Sequence, residues 1–461
     1  MNRLRRRVAT VLFATAMAIG VMSPLAAQAA PALIPPPPAT FKAECPPTIK
    51  CIVMPAPYVA NSGNIEDYGN YDITNRPTDM RITSIVIHDT EGNLQDVLKL
   101  FKDPTAYKSI QYIVDQDGTV YVMVPNKDVA WHAGNWWYNS HSIGVEHVGE
   151  AADSGSYKPA IYYASSQLVR YLTGKYDIPR DRAHIVGHDN MPAVRAADVS
   201  KMHVDPGPFW NWQQYMALVG APVLPSGSLG SGLVTVAPVW PLHKEQVTGC
   251  FPETQSCVQD GLQSVNFVYL HTEARSNAPL ITDPVLGQGT TNIGNDAARL
   301  FHGQTVAVSK TQLDSGGMWY QTWVNGVQGW FYSPWKAMTA FPAKGKIVTP
   351  KADKTTIPVY GQPVPEKEEF PANVITAPSP GSFWIKPATP LPYTVGAGQR
   401  YSLGDKNVPN EYFYAWSSTG DRAQFPGDHT VYKGEQKYLQ IQFGSRVAFV
   451  KAADVNVTEA K

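Results

Sequence analysis

The chain has 461 residues, enough for about three domains at roughly 100 to 200 residues each. Basic and acidic residues balance at 38 each; without Arg3, Arg5, Arg6 and Arg7 of the first segment the net charge is −4, and with no later basic run, electrostatic binding of nucleic acid or anionic lipid is excluded. A composition 43% hydrophobic and only 16% charged, with 36 Gly and 39 Pro, excludes disorder throughout and coiled coil, and implies many turns.

Residues 1–29 read as an export signal. Arg3 to Arg7 form the positive end, Val8 to Met22 the apolar stretch, and Ala27-Gln28-Ala29 the small-residue cleavage pattern. That stretch, soon broken by Pro24, is shorter than the ~20 residues a membrane span needs, and no later one qualifies. The chain is therefore expected outside the cell or at the cell wall. In that oxidising setting Cys45, Cys51, Cys250 and Cys257 suit two local disulfides, although four cysteines permit three pairings.

Residues 30–57 are a proline-rich lead-in, with Pro35 to Pro38 in a row. Residues 58–220 then alternate strand and helix patterns. Ile82 to His88, with its apolar run Ile85-Val86-Ile87, reads as a buried strand. Asn93 to Lys102 places Leu94, Val97, Leu98 and Phe101 on one helical face. Ile110 to Val114 and Thr119 to Val124 flank the hairpin signal Asp117-Gly118. Ser142 to Val148 is a further strand, Tyr163 to Tyr176 a helix, His184 to Val186 a short strand, and Pro208 to Val219 a helix opened by proline. This is a mixed α/β domain whose elements should close one core. Residues 221–240, rich in Gly, Ser and Pro, read as a linker. Residues 241–342 and 343–461 are dominated by short strands, with hairpin signals at Asn325-Gly326 and Gly444-Ser445, and read as two small all-β barrels or sandwiches.

Seven of the eleven histidines fall between His88 and His203, about a quarter of the chain. Histidine is the commonest metal ligand and general acid or base, so clustering points to a site. His88 ends a buried strand, where side chains enter the crevice that α/β sheets offer to ligands. His188 follows Ile185-Val186-Gly187 at another strand end, and Asp205 stands in the stiff turn Asp205-Pro206-Gly207-Pro208. Two imidazoles and a carboxylate make a three-ligand zinc site with the fourth position open to water.

Six segments, in this order, resemble the zinc N-acetylmuramoyl-L-alanine amidases of the amidase and peptidoglycan-recognition superfamily. They are Ile85-Val86-Ile87-His88-Asp89-Thr90, Tyr112 to Val120, Trp131-His132-Ala133-Gly134, Ser142-Ile143-Gly144-Val145-Glu146, Gly187-His188-Asp189 and Asp205-Pro206-Gly207-Pro208. The resemblance covers about residues 65–220. It implies a mixed central sheet with flanking helices, zinc ligands at His88, His188 and Asp205, and a catalytic acid at Glu146. The bond cut would join the lactyl group of muramic acid to L-alanine in peptidoglycan. The chain departs from the family in three places: Asp205 stands seventeen positions after His188, Gln111 replaces a common histidine, and His203 a common lysine. Either His188 or His203 can supply the second ligand. Gly-His-Asp at the strand end favours His188, which leaves His203 to stabilise the oxyanion. Trp131 and His132 are candidates for a glycan or stem-peptide groove, or for turn packing. Asp89 either orients His88 or caps its turn.

The C-terminal half resembles bacterial SH3-like modules through Tyr269-Leu270-His271-Thr272, Gly303, Trp319-Tyr320, Asn325-Gly326 and Gly329-Trp330, with a divergent second copy ending Arg446 to Val450. That resemblance implies contact with the cell wall, while Trp319, Trp330, Tyr412 and Trp416 read mostly as barrel core. Two other functions compete: a non-catalytic peptidoglycan-recognition protein, against which His88, His188, Asp205 and Glu146 are all present, and a zinc hydrolase of another amide.

Overall fold

The computed structural model describes residues 41–59, 61, 70–251, 254, 256–370, 386–414 and 430–460. The export signal, the first part of the proline-rich segment and Trp416 lie outside the described residues. Among these residues no helix is long and apolar enough to cross a membrane.

A six-stranded sheet organises the first half. Its strands are β1 (Cys51–Val53), β2 (Ser84–Ile87), β3 (Tyr112–Val114), β4 (Val120–Val122), β5 (Ser142–His147) and β6 (Ile185–Gly187), in the order β1-β4-β3-β5-β2-β6. Strands β3, β5, β2 and β6 run parallel, β4 returns antiparallel to β3 across the Asp117-Gly118 turn, and β1 is parallel to β4. The mixed sheet is as expected. Helix α1 (Leu94–Phe101) is capped by Asn93, whose side chain accepts the N–H groups of Gln95 and Asp96. Helix α2 (Trp136–His141), too short to show a period, is started in the same way by Asn135. Helix α3 (Pro159–Lys175) begins four residues earlier than its apolar spacing suggests, because Pro159 sits in its first turn and Ile161 and Tyr162 are buried there. Helix α4 (Trp212–Val219) starts later than Pro208, since Asn211 supplies the cap. Cys45 bonds Cys51 and Cys250 bonds Cys257.

The two faces of this sheet are closed differently. Ile85 and Ile87 pack with Leu168 and Leu172 of α3 and Trp212 and Met216 of α4. Val86 and Val186 point the other way, into a cluster formed by Trp137 and Tyr138 of α2 with Tyr360, Tyr438 and Phe449 of the C-terminal region. A sheet with parallel strands at its centre needs both faces covered. In the full chain, the second face of this sheet is covered partly by α2 and partly by the C-terminal region.

The later regions are all-β and antiparallel. One sheet joins Val327–Pro334, Gly317–Val324, Thr305–Asp314, Leu233–Val236 and Ala340–Pro342. Its strand Leu233–Val236 lies inside the segment read as a linker, where Gly and Ser flanking masked the pattern Leu-Val-Thr-Val. Both residues of the Asn325-Gly326 turn have positive φ. The last sheet has seven strands, Lys346–Pro350 through Val455–Glu459. Trp319 and Tyr412 are buried and Trp330 half-buried.

His141 and His184 join the halves. His141 Nε2 lies 3.0 Å from Glu411, and both Trp136 and Trp137 donate their indole N–H groups to C-terminal carbonyls, of Phe413 and Pro409. His184 contacts Asp181 at 2.7 Å and Asp405 at 3.7 Å. Burial opposes its protonation, but the two carboxylates outweigh that and raise it to about 9.

Two outcomes follow from this packing. A chain ending at Gly220 exposes Val86, Val186, Trp137 and Tyr138, and its thermal unfolding, followed by circular dichroism, should lose cooperativity. The raised His184 contributes at most about 3 kcal/mol, fully present below pH ~6.5 and lost as pH rises through about 9. Melting temperature should therefore fall across that window in the full chain and fall less in Asp405→Asn.

Candidate active site

The site starts from register. Ile87 of β2 pairs with Val145 of β5 and with Gly187 of β6. The next residue on each parallel strand is Glu146, His88 and His188, so these three stand in one row across the C-terminal end of the sheet. His88 N–H donates to Val145 O, and His147 N–H donates to His88 O, which continues the ladder to its last residue. Asp205 comes from outside the sheet. It is tied to the row by its carbonyl, which accepts the Asp189 N–H at 2.6 Å.

His88 Nδ1 lies 3.3 Å from one Asp205 oxygen, and His188 Nδ1 lies 2.9 and 3.2 Å from the pair. All three residues are buried and can hold a metal ion together. Their spacing is close to the edge of about 3.3 Å expected of a tetrahedron with zinc–ligand distances of about 2.0 Å, and a His-His-carboxylate set is ordinary zinc chemistry. The residues therefore fit zinc. Burial raises the Asp205 carboxyl, but the adjoining His188 and His88 rings outweigh it and hold Asp205 well below its ordinary range. Burial pushes His188 down.

Around this cluster the remaining candidates take distinct places. Glu146 is buried, and its Oε2 has no hydrogen-bond partner. Burial, then the negative charges of Asp205 and Glu91, push its carboxyl well above the ordinary range, while Lys108 pulls it back. His203 stacks on His188 at 4.4 Å between ring centres, with Nδ1 3.7 Å from Asp205, and its side chain is 58% exposed. The His188 charge, then burial, pushes it down to about 4, so it is neutral near pH 7. His132 packs between His88 and Ser142. Its Nδ1 lies 3.0 Å from His88 Nε2 and its Nε2 3.3 Å from Ser142 Oγ, which donates to Tyr138 O. Burial, then the His88 and His188 charges, pushes it well down, so neutral His132 accepts from His88 and donates to Ser142. This fixes the tautomer that leaves His88 Nδ1 facing Asp205. The ring lies against Gly144, where a Cβ would meet it at 2.8 Å. Trp131 is half-buried, its indole N–H donating to Asp72 at 2.7 Å. Asp89 caps its turn by accepting the Glu91 N–H, and also accepts from the Tyr157 hydroxyl. His147 faces the opposite side, between His88 O and Ser165.

Sequence reasoning missed two ionisable groups. Glu91 is raised to about 8, chiefly by burial and then by Asp205. Lys108 is close enough for its charge to act on both Glu146 and His203. Neither carries a motif of its own.

Residues 78–208 match the sequence model of the N-acetylmuramoyl-L-alanine amidase family. This part of the chain is an amidase domain homologous to those hydrolases. N-acetylmuramoyl-L-alanine amidase A of Achromobacter lyticus is 27% identical over 167 residues, spanning 32% of this chain and 88% of that protein. The 1,6-anhydro-N-acetylmuramyl-L-alanine amidase AmpD of Enterobacter cloacae is 29% identical over 168 residues, 31% of this chain and 84% of that one. Among solved structures, the complex of AmiD from E. coli with anhydro-N-acetylmuramic acid-L-Ala-D-gamma-Glu-L-Lys is 25% identical and covers 36% of this chain and 69% of that chain, with a TM-score of 0.28.

Removing the His132 ring leaves His88 Nε2 without its acceptor. His132→Ala should weaken zinc binding by roughly 10- to 100-fold in competition with a chromogenic chelator, with the fold kept by far-ultraviolet circular dichroism. Unchanged affinity would remove His132 from this role.

Proposed function

We propose that the protein is a secreted zinc-dependent peptidoglycan hydrolase that cleaves the amide bond between N-acetylmuramic acid and L-alanine. One observation carries this reading: His88, His188 and Asp205 converge within a single site beside Glu146, whose buried Oε2 has no partner. The family match over residues 78–208 supports the choice of bond. Two disulfides agree with an exported protein. The all-β regions after the amidase domain are, in this reading, SH3-like modules that contact the wall.

His88, His188 and Asp205 would hold the zinc. When bound, zinc lowers the pKa of a water ligand to about 7 and polarises a carbonyl. Glu146 accepts the proton of the attacking water. Buried beside the proposed ligands with its Oε2 unpartnered, it can hold that proton until the amine of L-alanine leaves with it. Neutral His203, at the open edge of the site, donates a hydrogen bond to the oxygen that gains charge as the carbonyl is attacked. His132 keeps His88 in the tautomer that binds metal.

Digestion of purified wall fragments, followed by mass spectrometry, should release lactyl-ended muramic acid and peptides with a new L-alanine N-terminus. Chelation should abolish this release and zinc restore it. Glu146→Gln should keep stoichiometric zinc and lose at least about 10²-fold in turnover. Products cut at any other bond, or full turnover by metal-free protein, would refute the proposal.

A further inference from the structure

The segment from Asp189 to Val204, between two of the proposed ligands, is built into the C-terminal sheet. Its side chains Ala193 and Val199 are buried among Val348, Ile357, Val359, Leu391 and Tyr393. Asn135 donates from one amide to Pro192 O at 3.0 Å and to Gly361 O at 2.8 Å. A Cβ at Gly361 would overlap the Ala193 carbonyl, so the backbones touch directly. The turn between strands Tyr438–Gln442 and Val447–Lys451 reaches further in. Ser445 O accepts from Asn190 Nδ2 at 3.0 Å and from Gln304 Nε2 at 2.8 Å.

Arg446 follows on that turn. Its Nη1 donates to Met191 O at 2.9 Å and its Nη2 to His203 O at 3.2 Å, with Asp296 of the middle region 3.7 Å away. One guanidinium thus ties together two carbonyls near opposite ends of the segment, twelve positions apart in sequence. Two N–H donors in one rigid plane fix both carbonyls at once, which a lysine ammonium does with less directional control. The carbonyl of His203 is held where its ring stacks on His188, beside Asp205.

We infer that Arg446 is a positioning residue for the active site, and that the C-terminal sheet is a structural part of the hydrolase rather than a tethered appendage. The consequence for catalysis rests on the function proposed above. The clamp itself does not.

The experiment uses the full zinc-loaded chain with Arg446→Ala and Arg446→Lys. Hydrogen exchange reads the clamp without any substrate. In Arg446→Ala, amides from Met191 to Val204 should exchange at least about tenfold faster while β2 and α3 keep their protection. On a soluble muramoyl-L-alanine peptide, kcat should fall roughly 10- to 100-fold with KM within about twofold and zinc still stoichiometric, since a small displacement of a catalytic group costs rate. Arg446→Lys, which keeps the charge beside Asp296 and guards against a misfolded alanine variant, should recover part of both. Unchanged exchange and unchanged kcat in either variant would overturn the inference. If the unsubstituted protein cleaves no muramoyl amide, the functional proposal fails, and faster exchange in Arg446→Ala still supports the clamp.

Discussion

The arrangement depends on the register of three parallel strands. Because Val145 of β5, Ile87 of β2 and Gly187 of β6 lie level in the parallel register, the next residues along the three chains are Glu146, His88 and His188. In neighbouring parallel strands, residues at matched positions point to the same face, so a carboxylate and two imidazoles are brought together by backbone pairing alone. A slip of one residue in any strand would turn its member to the opposite face. The apolar run Ile85-Val86-Ile87 enforces the register, since both its faces are enclosed.

What register cannot supply is the carboxylate that completes the cluster. Asp205 arrives from a separate segment, and the free energy that holds it comes from several partners. The Asp189 N–H fixes its carbonyl, and two imidazoles answer its charge in a place where burial alone would keep it protonated. The preceding loop takes its stability from a different sheet, through Ala193, Val199 and the Arg446 turn. A separation of seventeen residues between ligands is therefore not slack chain. It is the length needed to visit the C-terminal sheet and return.

Much of the amidase domain was legible in local pattern. Strand and helix positions agreed within a few residues because periodicity, Asn caps and the Asp-Gly turn are local signals. His88, His188 and Asp205 could be singled out because strand ends and a proline-stiffened turn are visible in sequence. Features that depend on distant contacts were not. His132 looked like a groove residue, since nothing near it reveals that its ring meets His88, although Gly144 in an otherwise bulky strand was a usable hint that another side chain lies against it. The roles of His141 and His184 could not be read locally because their partners, Glu411 and Asp405, are more than two hundred positions away. The cover on the second face of the catalytic sheet was hidden for the same reason. Val86 gives no sign that Phe449 covers it. The strand Leu233–Val236 was hidden by its Gly- and Ser-rich flanks.

The most direct test of the central claim, that His88, His188 and Asp205 form one zinc site, is anomalous diffraction at the zinc edge from crystals of the full chain. The account predicts one strong peak within bonding distance of a His88 nitrogen, a His188 nitrogen and an Asp205 oxygen, with Glu146 beside it and His203 outside the coordination sphere. A peak bound by His203 in place of His188, or zinc absent from this cluster in zinc-replete crystals, would contradict it.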